Sequence, residues 1–183
     1  MDNLRKSGVE REPWISLADS PRLDNVYITD TQYQISQLGI ENSSAVLHPN
    51  GTVVLSRDAG VGKSAIMKGS MAASQHFMCW RCGPHLDNHY LYYWLQHRKR
   101  DFENIATGST IPTIGLNYFK KYRIGLPSLL EEQKAIAIRM LAVDTDLLAR
   151  NNHLQKQRQL KAGLMQDLLT GRVRVPLTEL TTA

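Results

Sequence analysis

Apolar and polar positions follow two regimes that meet at Pro127. Before it, short β-branched and aromatic runs alternate with Asp, Ser, Gly and Pro, the pattern of short strands and loop anchors. Trp14-Ile15-Ser16-Leu17 and Asn25-Val26-Tyr27-Ile28 are such runs. Ser44-Ala45-Val46-Leu47 and Thr52-Val53-Val54-Leu55-Ser56 flank His48-Pro49-Asn50-Gly51. Asn-Gly between two β-prone runs predicts a hairpin-type turn, lengthened here by the proline. Ser64-Ala65-Ile66-Met67 and Phe77-Met78-Cys79-Trp80-Arg81 read as further strands. Asp87 or Asn88 can cap a helix through Tyr90–Arg100 that buries Leu91, Trp94 and Leu95. A short helix around Asn117–Lys121 then leads into a strand, Tyr122–Leu126, which Pro127 closes.

Beyond Pro127 the period changes. From Glu131 to about Leu169 there is no Pro, and Gly163 is the only Gly. Ile136, Met140, Val143, Leu147, Leu154, Leu164 and Leu168 fit alternating steps of four and three, interrupted by Arg150, Gln157 and Lys161. A continuous helix over this span is ~58 Å long at ~1.5 Å per residue. A compact domain of this size does not need such a helix, so it is expected to leave the globular part and pair with another. Its charge drifts from a net −2 over 131–146 to +5 over 147–174, which complements the helix dipole. Thr170-Gly171 reads as the C-cap. The expected fold class is α+β, a strand-rich mixed domain over 1–128, a long helix over 129–170 and a tail over 171–183.

Composition narrows the class of protein. The 183 residues, 42% hydrophobic and 21% charged, suit a globular chain with a core. No apolar run approaches the roughly 18–20 residues of a membrane helix, and the first residues contain no apolar leader core. Two cysteines in this length argue against a disulfide scaffold and for a reducing, cytoplasmic setting. The net charge of +5 is uneven. Residues 1–50 carry 4 Lys/Arg against 7 Asp/Glu, residues 51–130 carry 10 against 4, and residues 131–183 carry 8 against 6. A basic middle segment suits a nucleic-acid partner, although a solvated basic surface has the same composition.

Two motifs admit sharper chemistry. Ala59-Gly60-Val61-Gly62-Lys63-Ser64 looks like a phosphate-binding loop. The full pattern requires Gly where Arg57 stands, and Asp58 would set a negative charge beside the phosphate. The short Ala65–Ser70 segment also supplies no helix whose N-terminus stabilises an anion. A glycine-bearing loop between strands, with Arg57 and Lys63 at its base, is the better reading, and a nucleotide-binding enzyme is the alternative. Cys79-Trp80-Arg81-Cys82, with His76, His85 and His89 near, opens a zinc or thiol-redox reading. No second pair of this kind supports zinc, and Gly83-Pro84 follows Cys82 where a redox pair would precede a helix. No metal ligand is therefore assigned. Tyr90, Tyr92, Tyr93 and Trp94 fit a helix face more readily than a base-stacking platform, and no catalytic triad or paired carboxylates stand out.

Several stretches together resemble half of the DNA specificity subunit of type I restriction–modification enzymes: one target-recognition domain with its trailing helix. They are Val54-Leu55-Ser56-Arg57-Asp58-Ala59-Gly60-Val61-Gly62-Lys63, Tyr90-Leu91-Tyr92-Tyr93-Trp94-Leu95 and Thr107-Gly108-Ser109-Thr110-Ile111-Pro112-Thr113-Ile114. Two more follow: Ile124-Gly125-Leu126-Pro127-Ser128-Leu129-Leu130-Glu131-Glu132-Gln133-Lys134-Ala135-Ile136-Ala137 and Leu164-Met165-Gln166-Asp167-Leu168-Leu169-Thr170-Gly171-Arg172-Val173-Arg174-Val175. The resemblance implies a non-catalytic module that binds double-stranded DNA and holds methyltransferase subunits, and through them a restriction subunit. S-adenosylmethionine, ATP and Mg²⁺ would belong to those partners. Arg57, Lys63 and Lys68, then Ser109, Thr110 and Thr113, become candidates for DNA contact. Lys120 and Lys121 are the expected phosphate contacts. The family's usual subunit carries two recognition domains and two long antiparallel helices, and this chain has one of each. It is therefore expected either to dimerise through Ile136, Met140, Val143, Leu147, Leu154, Leu164 and Leu168 or to be a piece of a longer subunit.

Overall fold

The computed structural model describes residues 11–176. The N-terminal segment read for a leader and the last seven residues of the expected tail therefore lie largely outside the described residues. The chain forms β1 (Arg11–Ile15), a 3-10 turn (Leu17–Arg22), β2 (Tyr27–Ile28), β3 (Tyr33–Ser36), α1 (Gln37–Glu41) and β4 (Val46–His48). It continues through β5 (Val53–Ser56), β6 (Ser64–Met67), β7 (Met71–Ala73), β8 (Phe77–Trp80), α2 (Asn88–His97), α3 (Lys99–Ile105), α4 (Leu116–Lys121) and α5 (Leu130–Leu169). The strands make two mixed sheets, ordered β3-β1-β7-β4 and β2-β6-β5-β8.

The side-chain alternation of β5 and β6 explains the layering. Val53, Leu55 and Ile66 pack with Leu91, Leu95 and Phe102 of the helices. Val54, Ala65 and Met67 point the other way and pack with Ile15, Met71 and Phe77. The second sheet is thus covered on both faces, and every residue of β5 and β6 is buried. This is why both strands read as unbroken apolar runs rather than as alternating ones. Each fully buried Val, Leu or Ile contributes about 1.5–3 kcal/mol through removal from water.

Four expectations are corrected. The turn at His48–Gly51 joins no hairpin: β4 pairs with β7, whereas β5 pairs with β6 and β8. Gly51, at φ 83°, donates to the Met67 carbonyl at 2.9 Å, and the chain crosses here from one sheet to the other. The expected helix over Tyr90–Arg100 breaks at Arg98 into α2 and α3, which lets Phe102 enter the core fully. Within α2, Tyr92 is buried while Trp94 is only partly so. Tyr122–Leu126 forms no strand. Side chains tether that segment to α2 instead: Trp94 Nε1 donates to Tyr122 Oη at 3.1 Å and Tyr90 Oη to the Gly125 carbonyl at 2.9 Å. The short β3, α1 and β7 have no distinct apolar pattern in the sequence.

Contacts divide the chain between Ala137 and Ile138. α5 is a single helix of 40 residues, about 60 Å at 1.5 Å per residue. Glu131 and Glu132 in its first turn suit the positive end of the dipole. Gln133 is fully buried. Its Oε1 accepts from Asp87 N at 3.0 Å, and its Nε2 donates to the carbonyls of His85 (3.1 Å) and Pro127 (2.8 Å). All of the amide's hydrogen-bonding directions toward the domain are used, and they bind the start of α5 to the N-cap of α2. At the other end, Gly171 (φ 74°) donates to the Leu168 carbonyl at 3.3 Å. Gln133→Leu orphans one donor and two acceptors, so it should destabilise the domain by about 1–3 kcal/mol. Thermal denaturation should show the midpoint lowered by roughly 3–10 °C, and a shift under about 1 °C would remove Gln133 as the anchor.

Candidate nucleic-acid interface

The turn from β5 to β6 is built on left-handed backbone. Ala59 (φ 45°), Gly60 (φ 113°) and Gly62 (φ 85°) all lie there, and the alanine bears a cost of about 1–2 kcal/mol that glycine would not. Ser20 Oγ donates to the Ala59 carbonyl at 3.1 Å and Ser56 Oγ to the Asp58 carbonyl at 2.6 Å, holding the loop in that shape. Beside it, Thr107 and Thr113 exchange backbone hydrogen bonds of 3.0 and 2.9 Å and close a tight loop. Gly108 (φ 122°) is required at its corner, because a Cβ there would stand 2.5 Å from the Ile111 carbonyl oxygen. Antiparallel bridging of Asp58 with Thr113, and the Ile114 N–H to Arg57 carbonyl bond of 2.9 Å, join the two loops edge to edge.

The candidate residues divide on this frame. Ser109 and Thr110 are exposed at the tip of the closed loop, with Ile111 beside them. Thr113 is half-buried, and its hydroxyl donates to the Ile111 carbonyl at 3.3 Å. Arg57 is spent on the protein: its Nε and Nη1 donate to the carbonyls of Gln75 (3.1 Å) and Ile114 (2.8 Å), and its side chain is only 15% exposed. Lys63 is half-buried and donates to the Ser20 carbonyl at 3.2 Å. Lys120 and Lys121 are exposed in the last turn of α4, which follows the closed loop in the chain. Lys68 stands apart, at the far end of β6 from the loop, with its Nζ 5.6 Å from the centroid of the Tyr27 ring.

The α2–α3 elbow adds cations that reading the chain in order did not single out as contacts. A Cβ on Gly62 would lie 3.1 Å from the Lys99 carbonyl, so the elbow packs directly on the loop. Lys99 is paired with Asp24, which also accepts from Gln96 at 3.0 Å. Arg100 is exposed, and Arg98 faces water with Asp101 at 2.9 Å. The sequence signal was the run Arg98-Lys99-Arg100, but only the fold brings it against Gly62.

The helix-interface candidates fall on α5. Ile136 is half-buried, while Met140, Val143, Leu147, Leu154, Leu164 and Leu168 are exposed. Toward the C-terminal end Leu160, Leu164, Met165, Leu168 and Leu169 line a shallow apolar groove of about 300 Å³.

The alternative chemistries find no frame. Gly60–Ser64 lies between antiparallel strands and runs into β6, so no helix N-terminus faces an anion there. No group of three or more His, Cys, Asp or Glu side chains is placed to hold a metal among the described residues. No helix among them is long and apolar enough to cross a membrane. Cys79 and Cys82 are free thiols; burial pushes them up to about 12 and about 11, away from the reactive thiolate. Tyr90 stacks on Trp94 at 6.5 Å within the α2 packing. Both thiols are protonated at neutral pH, and the thiolate fraction grows only as pH rises toward those values. Alkylation at pH 8 should run at least roughly tenfold slower than for free cysteine and climb through alkaline pH. A reaction already at its plateau by pH 8 would contradict the burial.

Comparison with known proteins places this arrangement in a family. The family model described as the type I restriction modification DNA specificity domain matches residues 4–161. The type I restriction enzyme MjaIX specificity subunit of Methanocaldococcus jannaschii is 27% identical over 128 residues, covering 69% of this chain and 30% of that relative. The MjaVIII specificity subunit of the same organism is 30% identical over 92 residues, covering 49% of this chain and 21% of the relative. The HsdS subunit from Thermoanaerobacter tengcongensis superposes with a TM-score of 0.61 at 16% identity, over 90% of this chain and 38% of that one. The type I S subunit from M. genitalium gives a TM-score of 0.56 at 18% identity, over 87% of this chain and 42% of that one. At such identity the structural likeness bears on fold alone: an α+β domain with a long C-terminal helix. The chain spans less than half the length of each of these relatives. Matched by the family model along most of its length, the chain belongs to the type I restriction modification DNA specificity domain family.

Proposed function

We propose that this chain recognises a short half-site in double-stranded DNA and presents it to methyltransferase subunits, and through them to a restriction subunit. The observation that carries the reading is the joined loop pair: one loop exposes Ser109 and Thr110 at its tip, and the other packs at Gly62 on the cationic α2–α3 elbow. Hydroxyls at a tip can bond base edges or phosphates, and flanking cations hold the backbone. In this reading Arg98, Arg100, Lys120 and Lys121 serve affinity, Lys63 holds its loop through the Ser20 carbonyl, and the 108–114 loop serves choice. Arg57 supports the loops rather than the DNA, and Lys68 lies too far along β6 to share their surface. Catalysis, with S-adenosylmethionine, ATP and Mg²⁺, belongs to the partner subunits.

The apolar stripe of α5 needs a second helix, and we infer that an antiparallel copy of this chain supplies it. That arrangement sets Asp144 and Asp146 of one helix toward Lys161 and Arg158 of the other. Contiguous exposed apolar surface of this extent marks an interface.

DNA affinity should fall steeply with salt, by roughly a decade or more between 50 and 200 mM in a fluorescence-anisotropy titration. Lys120→Glu with Lys121→Glu should weaken binding to all duplexes alike, whereas substitutions over 108–114 should change which duplex is preferred. Equal loss on every duplex from both sets would overturn the division of roles. For the helix, light scattering at micromolar concentration should give twice the chain mass, and Leu147→Asp with Leu164→Asp should return it to one. A monomer before substitution would end the dimer reading.

A further inference from the structure

Arg57 and Asp58 tie together three segments that are distant in sequence. The Arg57 N–H donates to the His76 carbonyl at 3.1 Å, while its guanidinium reaches the carbonyls of Gln75 and Ile114. Asp58 bridges to Thr113 through the backbone. Its Oδ2 lies 2.6 Å from His76 Nδ1 and 3.6 Å from Arg57 Nη2. An ionised carboxylate can only accept, so Nδ1 is the donor in the first of these contacts. Asp58 is buried, and its Oδ1 has no hydrogen-bond partner.

A buried carboxylate is costly unless its partners stand at fixed places. Here those partners come from the turn before β8 and from the 57–63 loop itself, while the backbone of the same residue grips the 107–113 loop. Displacing the 74–76 turn or the 57–63 loop leaves the charge with fewer partners, and the 107–113 loop is held to the backbone of the same residue. The hydrophobic packing of β5, β6 and α2 is complete without this cluster, which acts on loops and not on the sheet.

We propose that Asp58 and His76 are positioning residues for sequence readout: they fix the 57–63 loop, the 74–76 turn and the 107–113 loop as one surface. Ser109 and Thr110 then meet bases at a set offset from the cations that grip the backbone. Neither Asp58 nor His76 touches DNA. The inference rests on the DNA-recognition reading above.

The test uses the full chain and a pool of duplexes randomised at their central positions. The duplex enriched by the unaltered chain and a scrambled duplex are then titrated against Asp58→Asn, His76→Ala and His76→Asn. For Asp58→Asn and His76→Ala, the ratio of enriched to scrambled affinity should fall about tenfold, the worth of one well-made base contact. Affinity for the scrambled duplex should stay within about twofold, since phosphate contacts carry it. His76→Asn, whose side-chain amide can donate from near the Nδ1 position, should recover most of the ratio. An unchanged ratio in the folded variants overturns the proposal. So does a proportional loss on both duplexes that His76→Asn fails to relieve, because that is damage to the fold rather than to readout. Should Asp58→Asn melt without cooperativity, the two His76 variants decide between these outcomes. If the unaltered chain enriches no sequence, the DNA-recognition reading fails and takes this inference with it, a result distinct from variants that discriminate as well as their parent.

Discussion

The sheet β2-β6-β5-β8 has protein on both of its faces, with helices against Val53, Leu55 and Ile66 and the other sheet against Val54, Ala65 and Met67. A strand in that position cannot carry an exposed charge, because neither face reaches water. Even the hydroxyls at its end are used internally: Ser56 Oγ bonds the Asp58 carbonyl, and Ser64 Oγ accepts from Gln96 at 3.0 Å. Chemistry is thereby confined to where the strands stop. The β5–β6 connection is one such place, and its backbone twists into left-handed conformations to leave the sheet and return. The loop that closes between Thr107 and Thr113 docks at the same edge, so the exposed hydroxyls of Ser109 and Thr110 belong to a loop joined to the end of the buried sheet.

The same constraint changes the meaning of the net charge. Residues 51–130 carry 10 Lys/Arg against 4 Asp/Glu, yet several of those cations face inward. Arg57 is bound to two carbonyls, Lys99 is paired with Asp24, and Lys63 donates to Ser20. Their role is to hold the loops, and they have little left to offer a phosphate. Arg100, Lys120, Lys121 and Arg123 are exposed, with Arg98 in a surface pair that costs little to exchange for another anion. The useful basic surface is smaller than composition implies, and it lies along the α2–α3 elbow and α4.

What the sequence revealed follows from the range of each signal. The span of α5, the Asp87 cap of α2 and the buried runs of β5 and β6 are set by neighbours a few positions away, and periodicity finds them. The pairing of β4 with β7 is long-range, so a turn at His48–Gly51 could be recognised while its partner strands could not. Tyr122–Leu126 has β-prone residues, but tertiary contacts to Tyr90 and Trp94 used them for packing. Among the site residues, Ser109 and Thr110 were legible as a polar loop. Arg57 was legible as a cation but not as a clamp, because its acceptors, Gln75 and Ile114, are 18 and 57 positions away. Asp58 was legible as a charge that disfavours a phosphate and His76 as a neighbour of the cysteine pair, but 18 positions separate them and only the fold makes them a pair.

Gln133 and the stripe that follows it divide the work of α5. The amide fixes where the helix starts by satisfying three backbone groups of the domain. The exposed apolar positions beyond it gain nothing until a second helix arrives, since a single helix owes most of its stability to packing. For the proposed pairing of two copies, charge and spacing favour one orientation. In a parallel copy, Arg150 would face Arg150 and Lys161 would face Lys161 in the seam. In an antiparallel copy centred on Asn152, Ile136 meets Leu168 and Met140 meets Leu164. Val143 then meets Lys161, Leu147 meets Gln157, and Leu154 meets Arg150. Every interruption of the stripe lies opposite an apolar residue, whose surface the long stem of Arg or Lys can cover while its charge reaches water. The irregular stripe that weakens a parallel seam is therefore complementary to itself when reversed.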